Sequence, residues 1–169
     1  MESISLGEDF INVGIGEVCI ASKGEVLGSF ALGSCVAVTV YSPHFRAGGL
    51  AHIMLPGRAQ RDAQNKTKYA QDAIDVLLGG MENLGARKQN LKLTLVGGAN
   101  VLGEGSISQE VVRSVLGYLD FQGLKPQASR LGGTNSRRVF LETNTGRVFY
   151  AEGGLELKEL FSGKEEEHE

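Results

Sequence analysis

The chain has 169 residues, a formal net charge of -3, two cysteines, no tryptophan and 24 glycines, about twice the usual glycine share. Two cysteines exclude a disulfide framework, the apolar runs are too short to span a membrane, and 41% hydrophobic residues exclude a chain disordered throughout. The last six residues carry the whole charge excess, so residues 1–163 have equal numbers of acidic and basic side chains and lack the basic footprint of a nucleic-acid binder. In chain order, residues 14–21 alternate as a short strand, 23–25 read as a turn, and 26–32 and 35–41 read as strands broken at Gly33-Ser34. The second is β-branched and apolar throughout, as a buried strand is. A turn at 42–44 leads to a strand over 48–55, ended by Pro56-Gly57. The first helix is predicted over 68–84, with Ala70, Ile74, Leu77, Leu78, Met81 and Leu84 on one face and Gly85 as C-cap. Gly79-Gly80 inside it costs roughly 1 kcal/mol per glycine against Ala, so either something packs closely there or the helix ends early. A strand over 91–96 follows. The second helix starts near Ser106 or Ser108, where Ser106 and Gln109 have the form of a capping box; it buries Val111, Val112, Val115, Leu116 and Leu119, and ends at Gly123. Residues 128–131 form a strand, and 138–142 with 147–150 a hairpin. The whole reads as one domain over 1–163 and a disordered acidic tail over 164–169. The acidic N-terminus lacks the basic start and apolar core of a signal peptide, which points to the cytoplasm.

The cysteines differ. Cys19 sits among Val18 and Ile20 and reads as an inert core thiol. Cys35 follows Leu32-Gly33-Ser34, where a strand opens after small residues. The N–H groups of Ser34 and Cys35 are then candidates to hold an oxyanion, and the site has room for a substrate. A cysteine nucleophile needs a base. His168 lies in the tail and His44 in a turn, whereas His52 lies in Gly49-Leu50-Ala51-His52-Ile53-Met54-Leu55. A lone histidine in such a strand is commonly a core residue bonded to backbone, and Cys35 by itself is equally a buried small residue. If 35–41 and 48–55 pair antiparallel, His52 folds back toward Cys35; the pattern permits this without fixing it. Ser29, Ser34 and Thr39 are the nearby hydroxyls that could orient the imidazole. Arg58, Arg61, Lys66 and Lys68 stand against Asp62 alone; they read as a solvated loop or as a basic rim that steers an acidic partner. The segment Gly98–Gly103 lies between a strand and a helix, as a phosphate loop does, but Glu104 and Gly105 stand where Lys and Ser/Thr would be needed. The cysteines and histidines have no ligand spacing, so neither metal nor cofactor is expected.

Leu32-Gly33-Ser34-Cys35-Val36-Ala37-Val38 and Gly49-Leu50-Ala51-His52-Ile53-Met54-Leu55-Pro56 together resemble the signature of CheD, the chemoreceptor glutamine deamidase family of chemotaxis. Ile15-Gly16-Glu17, Lys68-Tyr69-Ala70, Gly97-Gly98-Ala99, Gly132-Gly133 with Arg137, and Thr145-Gly146 extend the resemblance over about residues 11–155. It implies an α+β fold of packed mixed β-sheets flanked by helices, as in a related deamidating toxin. It implies Cys35 as nucleophile, His52 as its base, and Ser29 in the place of the family's third residue, a threonine. It also implies receptor helices as substrate, a thioester intermediate, and a CheC-type phosphatase as a possible partner, with no nucleic acid and no membrane insertion. The alternative is a binding module that mainly stimulates that phosphatase. Ser108-Gln109-Glu110-Val111 and Arg130 depart from the family pattern, which bears on docking more than on chemistry. Gly33, Gly48-Gly49, Gly97-Gly98 and Gly132-Gly133 are expected to line one cleft around the thiol.

Overall fold

The computed structural model describes residues 9–103 and 107–163. Two five-stranded mixed sheets form the body, and two helices cover one of them. The strands are β1 (Ile11–Asn12), β2 (Val18–Ser22), β3 (Val26–Leu32), β4 (Val36–Ser42), β5 (Ala47–Ile53), β6 (Lys92–Gly97), β7 (Ala128–Leu131), β8 (Arg137–Glu142), β9 (Val148–Glu152) and β10 (Lys158–Phe161); the helices are α1 (Ala70–Asn83) and α2 (Ile107–Phe121). The first sheet runs β1-β3-β8-β9-β10 and the second β2-β5-β4-β6-β7. Pairing is antiparallel except between β1 and β3 and between β6 and β7. The expected α+β architecture is therefore observed. No helix among the described residues is long and apolar enough to cross a membrane.

The β4 sequence explains its central place. Its seven residues are all buried, as are those of β5. Alternation sends Val36, Val38 and Val40 toward the helices, where they join Ile74, Leu77, Met81, Val111, Val115 and Leu119 in one core. Cys35, Ala37 and Tyr41 turn the other way and meet Leu27, Leu32, Val139, Leu141 and Val148 of the first sheet in a second core. The protein is thus three layers deep, with β4 and β5 in the middle.

Local details refine the expectations. Residues 14–17 form a turn, not strand, because the Glu17 carboxylate accepts the Gly14 N–H at 3.0 Å. The helix α1 runs through Gly79-Gly80: a Cβ on Gly80 would collide with Ile20 of β2, so close packing accounts for Gly80, whereas a Cβ on Gly79 would meet nothing within 4 Å. Leu84 and Leu116 lie outside the apolar faces assigned to them, at 44% and 40% exposure. Gly85 and Gly123, both at positive φ, end the two helices as expected. Strand β5 stops at Ile53, and Leu55 instead bridges Tyr69. Ser106, the proposed cap, and the tail 164–169 lie outside the described residues.

Candidate active site

Strands β4 and β5 pair antiparallel with Ala37 opposite His52 and Val36 opposite Ile53. Side chains two apart share a face, so Cys35 and His52 are diagonal neighbours on the face toward the first sheet. Such neighbours stand about 7–8 Å apart, within reach of long or ring side chains. Cys35 is 7% exposed and His52 2%. From the opposite sheet, β3 brings Ser29, which is fully buried.

The imidazole is held by a backbone carbonyl. The Val13 oxygen lies 3.2 Å from His52 Nδ1. It also accepts the Ser29 hydroxyl at 2.5 Å, and Ser29 Oγ lies 3.3 Å from the same Nδ1. A carbonyl can only accept, so Nδ1 carries the proton. Nε2 is then the basic nitrogen, and it is buried without a hydrogen-bond partner among the described residues. Donating to Val13 leaves the Ser29 oxygen free to accept from Nδ1–H as well. This bond also fixes the serine rotamer that threonine would restrain through its methyl. Val13 is itself anchored by its N–H to the Gly28 carbonyl at 2.8 Å. The backbone of His52 is pinned on both sides, its N–H donating to Glu17 at 3.1 Å and its carbonyl accepting from Gly16 at 2.9 Å.

Burial sets the protonation of the pair. It pushes the Cys35 thiol above its ordinary pKa. It holds His52 below the ordinary imidazole value, against smaller opposing effects of the Val13 bond and the Glu17 charge. Burial thus disfavours the charged form of both side chains.

A second wall closes on the thiol turn from the β6 side. The Gly98 N–H donates to the Cys35 carbonyl at 2.8 Å, and the Ala99 N–H to the Gly33 carbonyl at 2.7 Å. A side chain at Gly97, where φ is +124°, would collide with the Cys35 carbonyl. The Gly132 N–H donates to Gly97 at 3.1 Å, and the Asn100 N–H to Gly133 at 2.8 Å. Gly97-Gly98 and Gly132-Gly133 thus flank one corner next to Cys35, as the glycine excess suggested. Gly48-Gly49 does not: a Cβ there would strike Leu141 on one side and Ile20 and Leu77 on the other, so that pair serves sheet and helix packing. Among the described residues, no hydrogen bond occupies the N–H groups of Ser34 and Cys35.

The remaining candidates lie elsewhere. Arg58 is not a loose cation: it pairs with Asp72 at 3.3 Å and Asp75 at 3.1 Å and lies against Tyr118. Arg61 and Lys66 are exposed and Lys68 half-buried. Cys19 is half-buried opposite Leu50, and His44 is exposed in its turn. Arg130 bonds Glu152 at 3.0 Å. Val13 was not foreseen from sequence, because its part is played by a backbone carbonyl that any residue supplies.

A family described as CheD chemotactic sensory transduction matches residues 54–152, more than half of the chain. This chain belongs to the CheD family. A protein of Chlorobium luteolum named probable chemoreceptor glutamine deamidase CheD is 40% identical over 149 residues, covering 86% of this chain and 74% of its own. A CheD of Archaeoglobus fulgidus with the same name is 37% identical over 154 residues, covering 85% and 95%. One of Thermococcus kodakarensis is 32% identical over 144 residues, covering 82% and 89%. The family match begins two residues after His52, so the thiol and imidazole are reached through geometry and through the CheD motifs around them.

Proposed function

We propose that this CheD protein is a protein-glutamine deamidase that converts glutamine side chains on the cytoplasmic helices of chemoreceptors to glutamate. The reading is carried above all by the imidazole whose Nδ1–H is committed to Val13, with Nε2 on the face it shares with Cys35. In this reaction Nε2 takes the thiol proton as sulfur attacks the carboxamide carbon. The N–H groups of Ser34 and Cys35 hold the oxyanion. The imidazolium returns its proton to nitrogen, the C–N bond breaks, and ammonia leaves a thioester on Cys35. Water, deprotonated by the same nitrogen, adds to the thioester and expels the thiol, giving glutamate. Ser29 keeps the ring in place. Each turnover adds one negative charge to a receptor helix, which shifts the helix's electrostatics and hence its signalling balance.

The substrate's place fixes the cytoplasm as the working compartment. Arg61, Lys66 and Lys68 form the rim that meets acidic receptor helices, whereas Arg58 belongs to the fold. A CheC-type phosphatase is a second partner of the same protein. The test is mass spectrometry of a receptor signalling-helix fragment incubated with wild type and Cys35→Ala. The wild type is expected to raise the fragment mass by about 1 Da per glutamine, the difference between NH2 and OH, and Cys35→Ala to leave it unchanged. Phosphatase binding by both with conversion by neither would replace catalysis with a binding role.

A further inference from the structure

Arg137 has no role in the chemistry just described, yet it is the buried charge nearest to its corner. Its side chain is 5% exposed. It stands in β8 opposite Leu32, the last residue of β3 and the start of the Gly33–Cys35 turn. Its Nη1 donates to the Gly97 carbonyl at 3.1 Å and to the Gly132 carbonyl at 2.7 Å, and its Nε to the Glu152 carboxylate at 3.0 Å. Residue 137 belongs to the first sheet and Gly97 to the second, so one guanidinium ties the two sheets where the thiol sits. The tie continues without a gap. Gly97 is followed by the two N–H groups that hold the Cys35 and Gly33 carbonyls, and Gly132 is bonded to Gly97 directly. Both glycine pairs lack side chains, and all four glycines have positive φ, so their own conformations are only weakly restrained. Charge-assisted bonds to two of their carbonyls supply the missing restraint.

We infer that Arg137 is a positioning residue for the deamidation: it clamps Gly97 and Gly132, and through them sets the direction of the Ser34 and Cys35 N–H groups that hold the oxyanion. This rests on the deamidase reading above. It goes further in making the oxyanion pocket depend on a side chain that never meets the substrate. Glu152 is the second anchor, since its carboxylate fixes the guanidinium plane and neutralises the buried charge.

Lysine at 137 keeps the charge but cannot bond two carbonyls and a carboxylate in one plane. For Arg137→Lys, kcat on the receptor fragment is expected to fall at least tenfold with KM within twofold of wild type. The pH dependence of Cys35 alkylation by iodoacetamide, measured in a Cys19→Ser background, stays as in the parent, because the His52 side is untouched. A general structural loss would move KM and the alkylation profile together with kcat. A folded Arg137→Lys with wild-type kcat overturns the inference, as does a loss shared equally between kcat and KM. Should circular dichroism show Arg137→Lys unfolded, Glu152→Ala decides: a threefold or larger fall in kcat at constant KM supports the clamp, and an unchanged kcat overturns it. Cys35→Ala run alongside separates the two readings, since its retained activity refutes the thiol mechanism whatever Arg137 does.

Discussion

The two faces of β4 and β5 make the same kind of core from different materials. Toward the helices the pair presents Val36, Val38, Val40, Ala51 and Ile53, without a polar side chain. Toward the first sheet it presents Cys35, Ala37, Thr39, Tyr41, Leu50 and His52, and Thr39 there bonds Thr94 of β6. Ser29 meets them from across the seam. The helix face can be purely apolar because each helix satisfies its own backbone. The seam between sheets brings backbone carbonyls, strand ends and turns together, and there the Val13 carbonyl and the Ser29 hydroxyl partner the buried imidazole. On the proposed mechanism, stability and chemistry fall on opposite sides of one pair of strands.

That division is open to attack from either side. The largest expected effect is on the seam: His52→Gln is predicted to lower kcat by about 10²- to 10⁴-fold, the usual worth of a general base, with the melting temperature nearly unchanged. Next, Leu77→Ala on the helix face should cost about 2–5 kcal/mol of stability while the folded fraction keeps its kcat, as read by denaturant melts and active-site titration. If Leu77→Ala lowers kcat as much as His52→Gln, the division is wrong. Third comes pH. With His52 held low and Cys35 held high, kcat/KM should stay flat through neutrality and fall only below about pH 6.5, the ordinary imidazole value. Linkage gives the matching stability effect. A depressed folded pKa means that the unfolded chain binds the proton first, so His52's contribution is complete above the unfolded pKa and is lost as pH falls through the folded one. Replacing His52 by Gln should flatten that acid loss. An alkaline limb from loss of an imidazolium proton, with the acid limb moved well below the ordinary imidazole value, would instead indicate an imidazolium–thiolate pair. The smallest effect is expected at Ser29→Ala. Val13 still accepts Nδ1–H there, so a fall in kcat of about 2- to 10-fold, one ordinary hydrogen bond, is the predicted outcome.

The sequence carried much of this and hid particular parts. Strands β3 to β9 and both helices could be placed within a few residues, because alternation and helical spacing are written in side chains. Strands β1 and β10 could not: Ile11–Asn12 is too short to alternate, and Lys158–Phe161 is an edge strand with two charged residues. Cys35, His52 and Ser29 were legible together through the CheD motifs, and the antiparallel register of β4 and β5 accounts for the first two sharing a face. Val13 was not, since a carbonyl leaves no mark on residue type. Nor was the pairing of Arg58, whose partners Asp72 and Asp75 lie in α1 and could be joined to it only by the fold. Part of the glycine excess serves two ends: close approach of the Cys35 carbonyl at Gly97, and sheet or helix packing at Gly48, Gly49, Gly80 and Gly98.

The most direct test of the seam as a thiol site is to catch the covalent intermediate. Wild-type protein mixed with a glutamine-bearing receptor peptide and quenched in acid during turnover should show, by intact mass, a species heavier by the peptide less ammonia, with the adduct mapped to Cys35. It should be absent from Cys35→Ala and scarce in His52→Gln. Glutamate formed at the wild-type rate by Cys35→Ala, with no adduct in either protein, would contradict the account.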